Sequence, residues 1–204
     1  MIIVNFKNYK TGKEALKLAK KLHKRGGFIG AVNYLDIQEL SKTKLPIFAQ
    51  HVDLSKKVLT GFIFAEQIKK AGAKGTLLNH SEHRISFNEI KQTLKECSEY
   101  RLRVVVCVPN LSEAKKVIKL KPWAMAYEDP ELIATGKSIT KYDSKSVKEF
   151  VKILKGTKII PLCGAGISTI EDVTEAKKIG CKGVLIASAI ANSKNPDKFL
   201  KELK

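Results

Sequence analysis

The sequence predicts an α/β fold: a (β/α)8 barrel with short helices and short loops. Three observations lead there. Short apolar runs alternate with amphipathic stretches, the alternation repeats eight times, and no seam interrupts the 204 residues. Parallel strands joined by helices form either an open doubly wound sheet or a closed barrel, and the number eight favours closure. At this length the barrel sits at the lower edge of the usual size range, which is why its helices and loops must be short. We expect residues 1–204 to form one domain, since no linker or low-complexity tract divides them.

The elements follow in order. Ile2 to Phe6 reads as the first strand, and Thr11-Gly12-Lys13-Glu14 opens an amphipathic helix that ends at Gly26-Gly27. Phe28 to Val32 is the second strand and Asp36 to Ser41 a short helix; Ile47 to Gln50 is the third strand, and Ile63 to Ala71 a helix closed by Gly72. Gly75 to Asn79 is strand four, followed by a helix over Phe87 to Tyr100 with Ile90, Leu94 and Cys97 on its inner face. Arg103 to Val108 and the helix Leu111 to Leu120 make the fifth unit. Trp123 to Tyr127 is an apolar run too short for a buried helix, so it reads as a strand covered on both faces. Helix Ser144 to Leu154, strand Lys158 to Cys163, helix Thr169 to Ile179, strand Gly183 to Ala187 and helix Asn195 to Leu203 complete the eight.

Composition narrows the function classes. With 44% hydrophobic residues the chain can bury a substantial core, and its longest apolar runs are far too short to span a membrane. Met1-Ile2-Ile3-Val4 lacks the basic start of a signal peptide, so we expect a soluble, cytoplasmic protein. Cys97, Cys107, Cys163 and Cys181 show no paired spacing, which fits reduced, packed thiols. A net charge of +18 raises nucleic acid as a partner, but Lys and Arg are spread along the chain with no stacking set of Phe and Tyr among them. Lysines such as Lys17, Lys20, Lys24, Lys115, Lys119 and Lys178 read as a solvated outer face.

In a (β/α)8 barrel the residues just after each strand face the catalytic mouth. Here that mouth would hold Asn5 and Lys7, Gln50 and His51, Asn79 and His80, Val108 and Asn110, Glu128, Gly164 to Ser168, and Ala187 with Ser188. An acid, a histidine, a lysine and two loops of small residues converge, the outline of an acid–base site that handles phosphate. Behind Glu128, Asp129-Pro130 stops regular structure, and Glu131 to Gly136 could serve as a lid. Gly164-x-Gly166 lacks the rest of a dinucleotide fingerprint and reads as a phosphate nest. His80-Ser81-Glu82 matches half of a zinc-deaminase signature, but the Pro-Cys-x-x-Cys half is missing, so no metal site is expected at His80 and His83. His23 and His83 read as surface residues, and His51 as either site lining or core support.

Five segments carry a family resemblance. Asn5-Phe6-Lys7, the run Leu77 to Arg84, Glu128 with Pro130 to Gly136, Cys163 to Ser168, and Gly183 to Ser188, in this order and each at a strand end, resemble the triosephosphate isomerase family in its shorter archaeal form. That resemblance implies a TIM barrel that interconverts dihydroxyacetone phosphate and glyceraldehyde 3-phosphate through an enediolate, in glycolysis and gluconeogenesis. It implies Glu128 as base, His80 as a neutral electrophile, and Lys7 with Asn5 at the substrate oxygens. Ile133, Gly166, Ala187 and Ser188 would hold the phosphate through backbone N–H groups, under a lid made of Asp129, Pro130, Glu131, Leu132, Ile133, Ala134, Thr135 and Gly136. It implies no cofactor and no metal, a triose phosphate as the small-molecule partner, and a homo-oligomer, tetrameric in archaeal members, with a dimer also open; the short apolar runs and the dispersed lysines add the expectation of no membrane and no nucleic-acid partner. The chain departs from the family at Asp129, where Pro is usual, and at Ala134 and Ala189, where Gly is usual. Two other readings stay open: a different phosphate-binding barrel enzyme, which would leave Asn5, Lys7, His80 and Glu128 as coincidence, and a basic nucleic-acid-binding barrel.

Overall fold

The computed structural model describes residues 1–55, 60–132, 135 and 137–203. Its parallel strands close into a barrel in chain order: β1 (Ile2–Asn5), β2 (Phe28–Val32), β3 (Ile47–Ala49), β4 (Gly75–Leu78), β5 (Arg103–Val108), β6 (Ala124–Tyr127), β7 (Ile160–Cys163) and β8 (Gly183–Ile186). β8 returns to β1 with Val184 opposite Ile2 and Ile186 opposite Val4, so the sheet has no edge. Around it lie α1 (Gly12–Arg25), α2 (Tyr34–Ser41), α3 (Ala65–Lys70), α4 (Phe87–Glu99), α5 (Leu111–Val117), α6 (Ile139–Tyr142), α7 (Ser144–Leu154), α8 (Ile170–Ile179), α9 (Ser188–Ala191) and α10 (Pro196–Glu202). None of these helices is long and apolar enough to cross a membrane.

Alternation along each strand sorts its side chains into two layers. Ile3, Ile29, Ala31, Phe48, Leu77, Val105, Cys107, Ala124, Ala126, Leu162 and Leu185 fill the lumen. Their strand neighbours, such as Val4, Val32, Leu78, Val106, Met125 and Val184, pack outward under the helices. Burial on both faces is why the strands are apolar along most of their length, with Asn5, Thr76 and Arg103 as exceptions, instead of alternating with polar residues. The N-terminal end of the lumen is closed by Met1, Trp123 and Ile160. There the Trp123 and Phe48 ring centroids lie 5.7 Å apart, and the Arg103 guanidinium sits 5.3 Å from the centre of the indole.

Helix starts and stops have local causes. Ser86 accepts from the Glu89 N–H at 3.2 Å while the Ser86 N–H donates to Glu89 Oε2 at 3.0 Å, a reciprocal cap on α4. Asn33 caps α2 by accepting from the Leu35 N–H at 3.0 Å, which starts that helix two residues earlier than its sequence pattern. β4 ends one residue sooner than expected because Asn79 turns into the left-handed region at φ 59°, and β1 ends at Asn5, ahead of Lys7 at φ 44°. β3 stops at Ala49, β6 starts at Ala124 and β7 at Ile160, each shorter than its apolar run. The four-residue helices α6 and α9 are too short to show a periodic signal.

Candidate active site

The lumen rows continue past the strand ends, and there their chemistry changes. Two residues beyond Ile3 stands Asn5, beyond Phe48 Gln50, beyond Leu77 Asn79, beyond Ala126 Glu128, beyond Leu162 Gly164, and beyond Leu185 Ala187. A period of two therefore aims Asn5 and Glu128 into the mouth by the same geometry that fills the lumen with apolar side chains, whereas Asn79, expected in the mouth from its place after β4, turns into the left-handed region and directs its amide to β5 and α5. Asn5, Lys7, Tyr9, His80, Glu128, Gly166, Ala187 and Ser188 line one cavity open to solvent.

At its centre Glu128 Oε1 lies 3.6 Å from His80 Nε2, just beyond hydrogen-bond length. Glu128 is only 3% exposed, and its Oε2 is buried without a hydrogen-bond partner among the described residues. A buried carboxylate oxygen with no partner is costly, and functional sites are where such costs persist. A side chain at Gly164 would bring a Cβ to 2.9 Å from Glu128 Oε1 and 3.0 Å from its Cγ, so a glycine there leaves the carboxylate its place. The Cys107 thiol lies beside it; burial first, then the Glu128 charge, push that thiol well above its ordinary pKa. The thiol is thus kept protonated and adds no second negative charge next to the carboxylate. His80 Nδ1 accepts from the Glu82 N–H at 3.2 Å. A neutral ring that accepts at Nδ1 carries its proton on Nε2, the nitrogen facing Glu128.

On the opposite wall, Asn5 Oδ1 accepts from the Lys7 N–H at 2.9 Å and from Gln50 Nε2 at 3.2 Å. Gln50 Nε2 also donates to the Lys7 carbonyl at 2.9 Å, so one amide stitches β1 to the end of β3. Lys7 Nζ meets Glu82 Oε1 at 2.6 Å, with the lysine side chain 13% exposed and the glutamate 55%. An ion pair that is half open to water is weakly held, so an arriving anion can compete for the ammonium.

The remaining walls come from β7 and β8. Ala165 and Gly166 take consecutive positive φ angles of 65° and 67°. A Cβ on Gly166 would collide with the Lys137 carbonyl, because the exit of the segment after Glu128 lies against this loop. The Ile139 N–H donates to the Ala165 carbonyl at 3.2 Å and secures that contact. Asp172 Oδ2 braces the loop from behind, accepting from the Ser168 N–H at 3.0 Å and the Thr169 N–H at 2.9 Å. Burial would raise the Asp172 pKa, but these two backbone donors, with the Thr169 and Ser138 hydroxyls, outweigh it and hold the carboxyl below its usual range. Beyond β8, Ala187 is the cap of α9 and Ser188 its first residue.

The segment after Glu128 opens with an Asx turn: Asp129 Oδ1 accepts from the Glu131 N–H at 2.9 Å, ahead of a 3₁₀ turn over Pro130–Leu132. Asp129 thus supplies by hydrogen bonding the turn that a proline would supply by ring constraint. Leu132 is buried in the outer apolar layer, and Thr135 Oγ1 donates to the Leu132 carbonyl at 2.9 Å. Asp129, Pro130, Glu131, Leu132 and Thr135 do not line the cavity, and Ile133, Ala134 and Gly136 lie outside the described residues. Ala189 sits in α9, partly buried against the outer apolar layer.

Of the other histidines, His23 is on the last turn of α1. His83 stacks on His51, with ring centroids 3.8 Å apart and planes 18° from parallel. His51 is buried, yet with His83 it lines the outer part of the mouth beside Asn5, Lys7 and His80; its pKa is lowered to about 4 by burial, then by His83. No group of three or more His, Cys, Asp or Glu among the described residues is placed to hold a metal ion. Sequence reading missed the bracing of Asp172 and the part played by Glu113, which reaches Asn79 Nδ2 at 2.7 Å. Only the Thr169-x-x-Asp172 cap pattern hinted at the first.

A family model described as triosephosphate isomerase matches residues 1–203. The chain is 37% identical to a triosephosphate isomerase of Methanocaldococcus jannaschii, covering all of this chain and 98% of that one. It is 40% identical to one of Methanosarcina acetivorans, covering 99% and 96%. Among solved structures, a triosephosphate isomerase from Bartonella henselae superposes with a TM-score of 0.70 at 19% identity over 93% of this chain and 92% of that one, a likeness of fold. The match over nearly the whole chain, and the archaeal relatives at this identity, have one consequence: the chain belongs to the triosephosphate isomerase family.

Proposed function

We propose that the chain interconverts dihydroxyacetone phosphate and glyceraldehyde 3-phosphate, with residues 1–204 working as one barrel domain. The observation that carries this reading is the facing pair of Glu128 Oε1 and His80 Nε2, 3.6 Å apart at the C-terminal mouth of the lumen. The reaction moves a proton between adjacent carbons, so it needs a base on the carbon side and donors at the oxygens. Glu128 takes the proton from the carbon beside the carbonyl and returns it to the neighbouring one. His80 donates from Nε2 to the oxygens while charge develops on them, and the Lys7 ammonium, exchanged from Glu82 to substrate, offsets the enediolate charge. Asn5 orients substrate from the same wall.

The phosphate is held by backbone N–H groups at Ile133, Gly166, Ala187 and Ser188, a reading supported by the cavity lining for the last three. Asp129, Pro130, Glu131, Leu132, Ile133, Ala134, Thr135 and Gly136 act as a lid that excludes water, protecting an intermediate able to expel phosphate; this family is a known example of such closure. The enzyme works in the cytoplasm, in glycolysis and gluconeogenesis, as a homo-oligomer, tetrameric by family likeness or dimeric; light scattering on a sizing column reads which. A coupled assay on glyceraldehyde 3-phosphate, run beside Glu128→Gln, tests the function. Turnover should fall by about three orders of magnitude with KM nearly unchanged, since the variant keeps the shape and removes the base. A loss under tenfold means that Glu128 is not the base.

A further inference from the structure

Asn79 immediately precedes His80 and lines no part of the cavity. It is fully buried and holds φ 59°, a left-handed conformation that asparagine tolerates better than other non-glycine residues. All its side-chain hydrogen-bonding groups are engaged. Nδ2 donates to the Cys107 carbonyl of β5 at 2.9 Å and to Glu113 Oε1 of α5 at 2.7 Å. Oδ1 accepts from the Ile85 N–H at 3.1 Å, which pins the far end of the loop that carries His80. Arg84 completes the arrangement: Nη1 donates to the Asn79 carbonyl at 3.3 Å, and its guanidinium pairs with the other Glu113 oxygen. Two donors and an acceptor on one short side chain are what an amide provides. A bare need for a left-handed residue would be met by glycine, so this set of bonds asks for more than backbone geometry.

The bonds that His80 makes itself, to the Glu82 N–H and the His83 N–H, lie inside its own loop and would travel with it. Those that tie the loop to the next strand and helix run through Asn79 and Arg84. We propose that Asn79 is a positioning residue for the isomerisation: clamped by Glu113 and Arg84, it fixes the His80 ring so that Nε2 faces Glu128 and the reacting oxygens. The proposal rests on the reading of His80 as the electrophile, and a misplacement of about 1 Å at such a group is enough to cost roughly a hundredfold in rate.

The test is a double-mutant cycle with Asn79→Gly, which keeps the backbone conformation and removes the clamp. Expected are a kcat lowered roughly ten- to hundredfold with KM within about twofold, and almost no further loss when the change is made in a His80→Asn background. Full kcat in Asn79→Gly, or an equal loss in both backgrounds, overturns the proposal. Should Asn79→Gly not fold, Glu113→Gln carries the same cycle with a smaller loss, of about threefold to tenfold. Nitrogen-15 NMR of His80 without substrate gives a readout that does not depend on turnover. The wild type should show one fixed Nε2–H tautomer with a sharp ring signal and Asn79→Gly the same tautomer broadened by exchange as the loop moves, whereas an unchanged spectrum contradicts the clamp. A wild type with the fixed tautomer but no activity on triose phosphates would sink the proposed function and leave the clamp standing.

Discussion

The two ends of the lumen are built on the same strands and the same period, yet they carry opposite chemistry. At the N-terminal end Met1, Trp123 and Ile160 shut the barrel with apolar surface, and Arg103 lies over the indole. At the C-terminal end the corresponding rows finish in Asn5, Gln50, Asn79 and Glu128, each but the last satisfied by specific hydrogen bonds. Buried polar groups cost stability unless they are paired, so the mouth can hold them only because strand ends and loops supply donors and acceptors. On the proposed function the floor serves stability and the mouth serves chemistry, and substitutions at the two ends should separate the two properties.

The largest effect is expected near the floor. Phe48 is fully buried in the lumen against Trp123, so Phe48→Ala should cost about 3–5 kcal/mol in urea unfolding. Folded variant at low temperature should keep kcat within about threefold; a catalytic loss without a stability loss would erase the proposed division. Gly164→Ala should behave in the opposite way. Its Cβ pushes on Glu128, so kcat should drop roughly ten- to hundredfold while unfolding changes by about 1 kcal/mol. Normal turnover in that variant would show that Glu128 has slack the geometry denies.

Acidification sharpens the comparison from a third position, the buried His51 beside the mouth. Its pKa is lowered from 6.5 to about 4 by burial and by His83, against the opposing charges of Asp53 and Glu89. Between those values the unfolded chain binds a proton that the folded chain does not, so stability falls as pH drops from 6.5 towards 4, at roughly 1 kcal/mol per pH unit. Above pH 6.5 the ring is neutral in both states and this contribution is complete. Urea midpoints at pH 7, 5.5 and 4.5 should show the slope, and His51→Gln should flatten it; an unchanged slope assigns the acid sensitivity elsewhere.

The smallest effect concerns the +18 charge. If the lysines only coat the barrel, kcat/KM for a dianionic substrate should fall roughly threefold between low salt and 0.2 M while kcat barely moves. Labelled RNA or duplex DNA should bind weakly at low salt and not at about 0.15 M. Submicromolar binding at that salt would give the outer face a function of its own.

Much of the architecture was legible because its signals are local. Apolar runs such as Val104 to Val108 and caps such as Ser86 with Glu89 lie within a few residues of each other, and counting strand–helix pairs was enough to propose closure. That His80 and Glu128 would meet was legible because strand ends in a barrel point to one mouth. The supports were not. Asn79 depends on Cys107 and Glu113, 28 and 34 positions away, and no pattern within one element announces such bonds. The same holds for Gly164, whose meaning comes from Glu128 on the neighbouring strand, and for α6 and α9, each a single turn.

The central claim is that Glu128 moves the proton, and solvent deuterium tests it most directly. Dihydroxyacetone phosphate or glyceraldehyde 3-phosphate is incubated with enzyme in D₂O, and proton NMR follows deuterium entering the carbon next to the carbonyl. Wild-type protein should incorporate the label as it isomerises, and Glu128→Gln should do so about a thousandfold more slowly while still binding substrate. Incorporation by Glu128→Gln within tenfold of the wild-type rate would contradict the account and assign the base to another group.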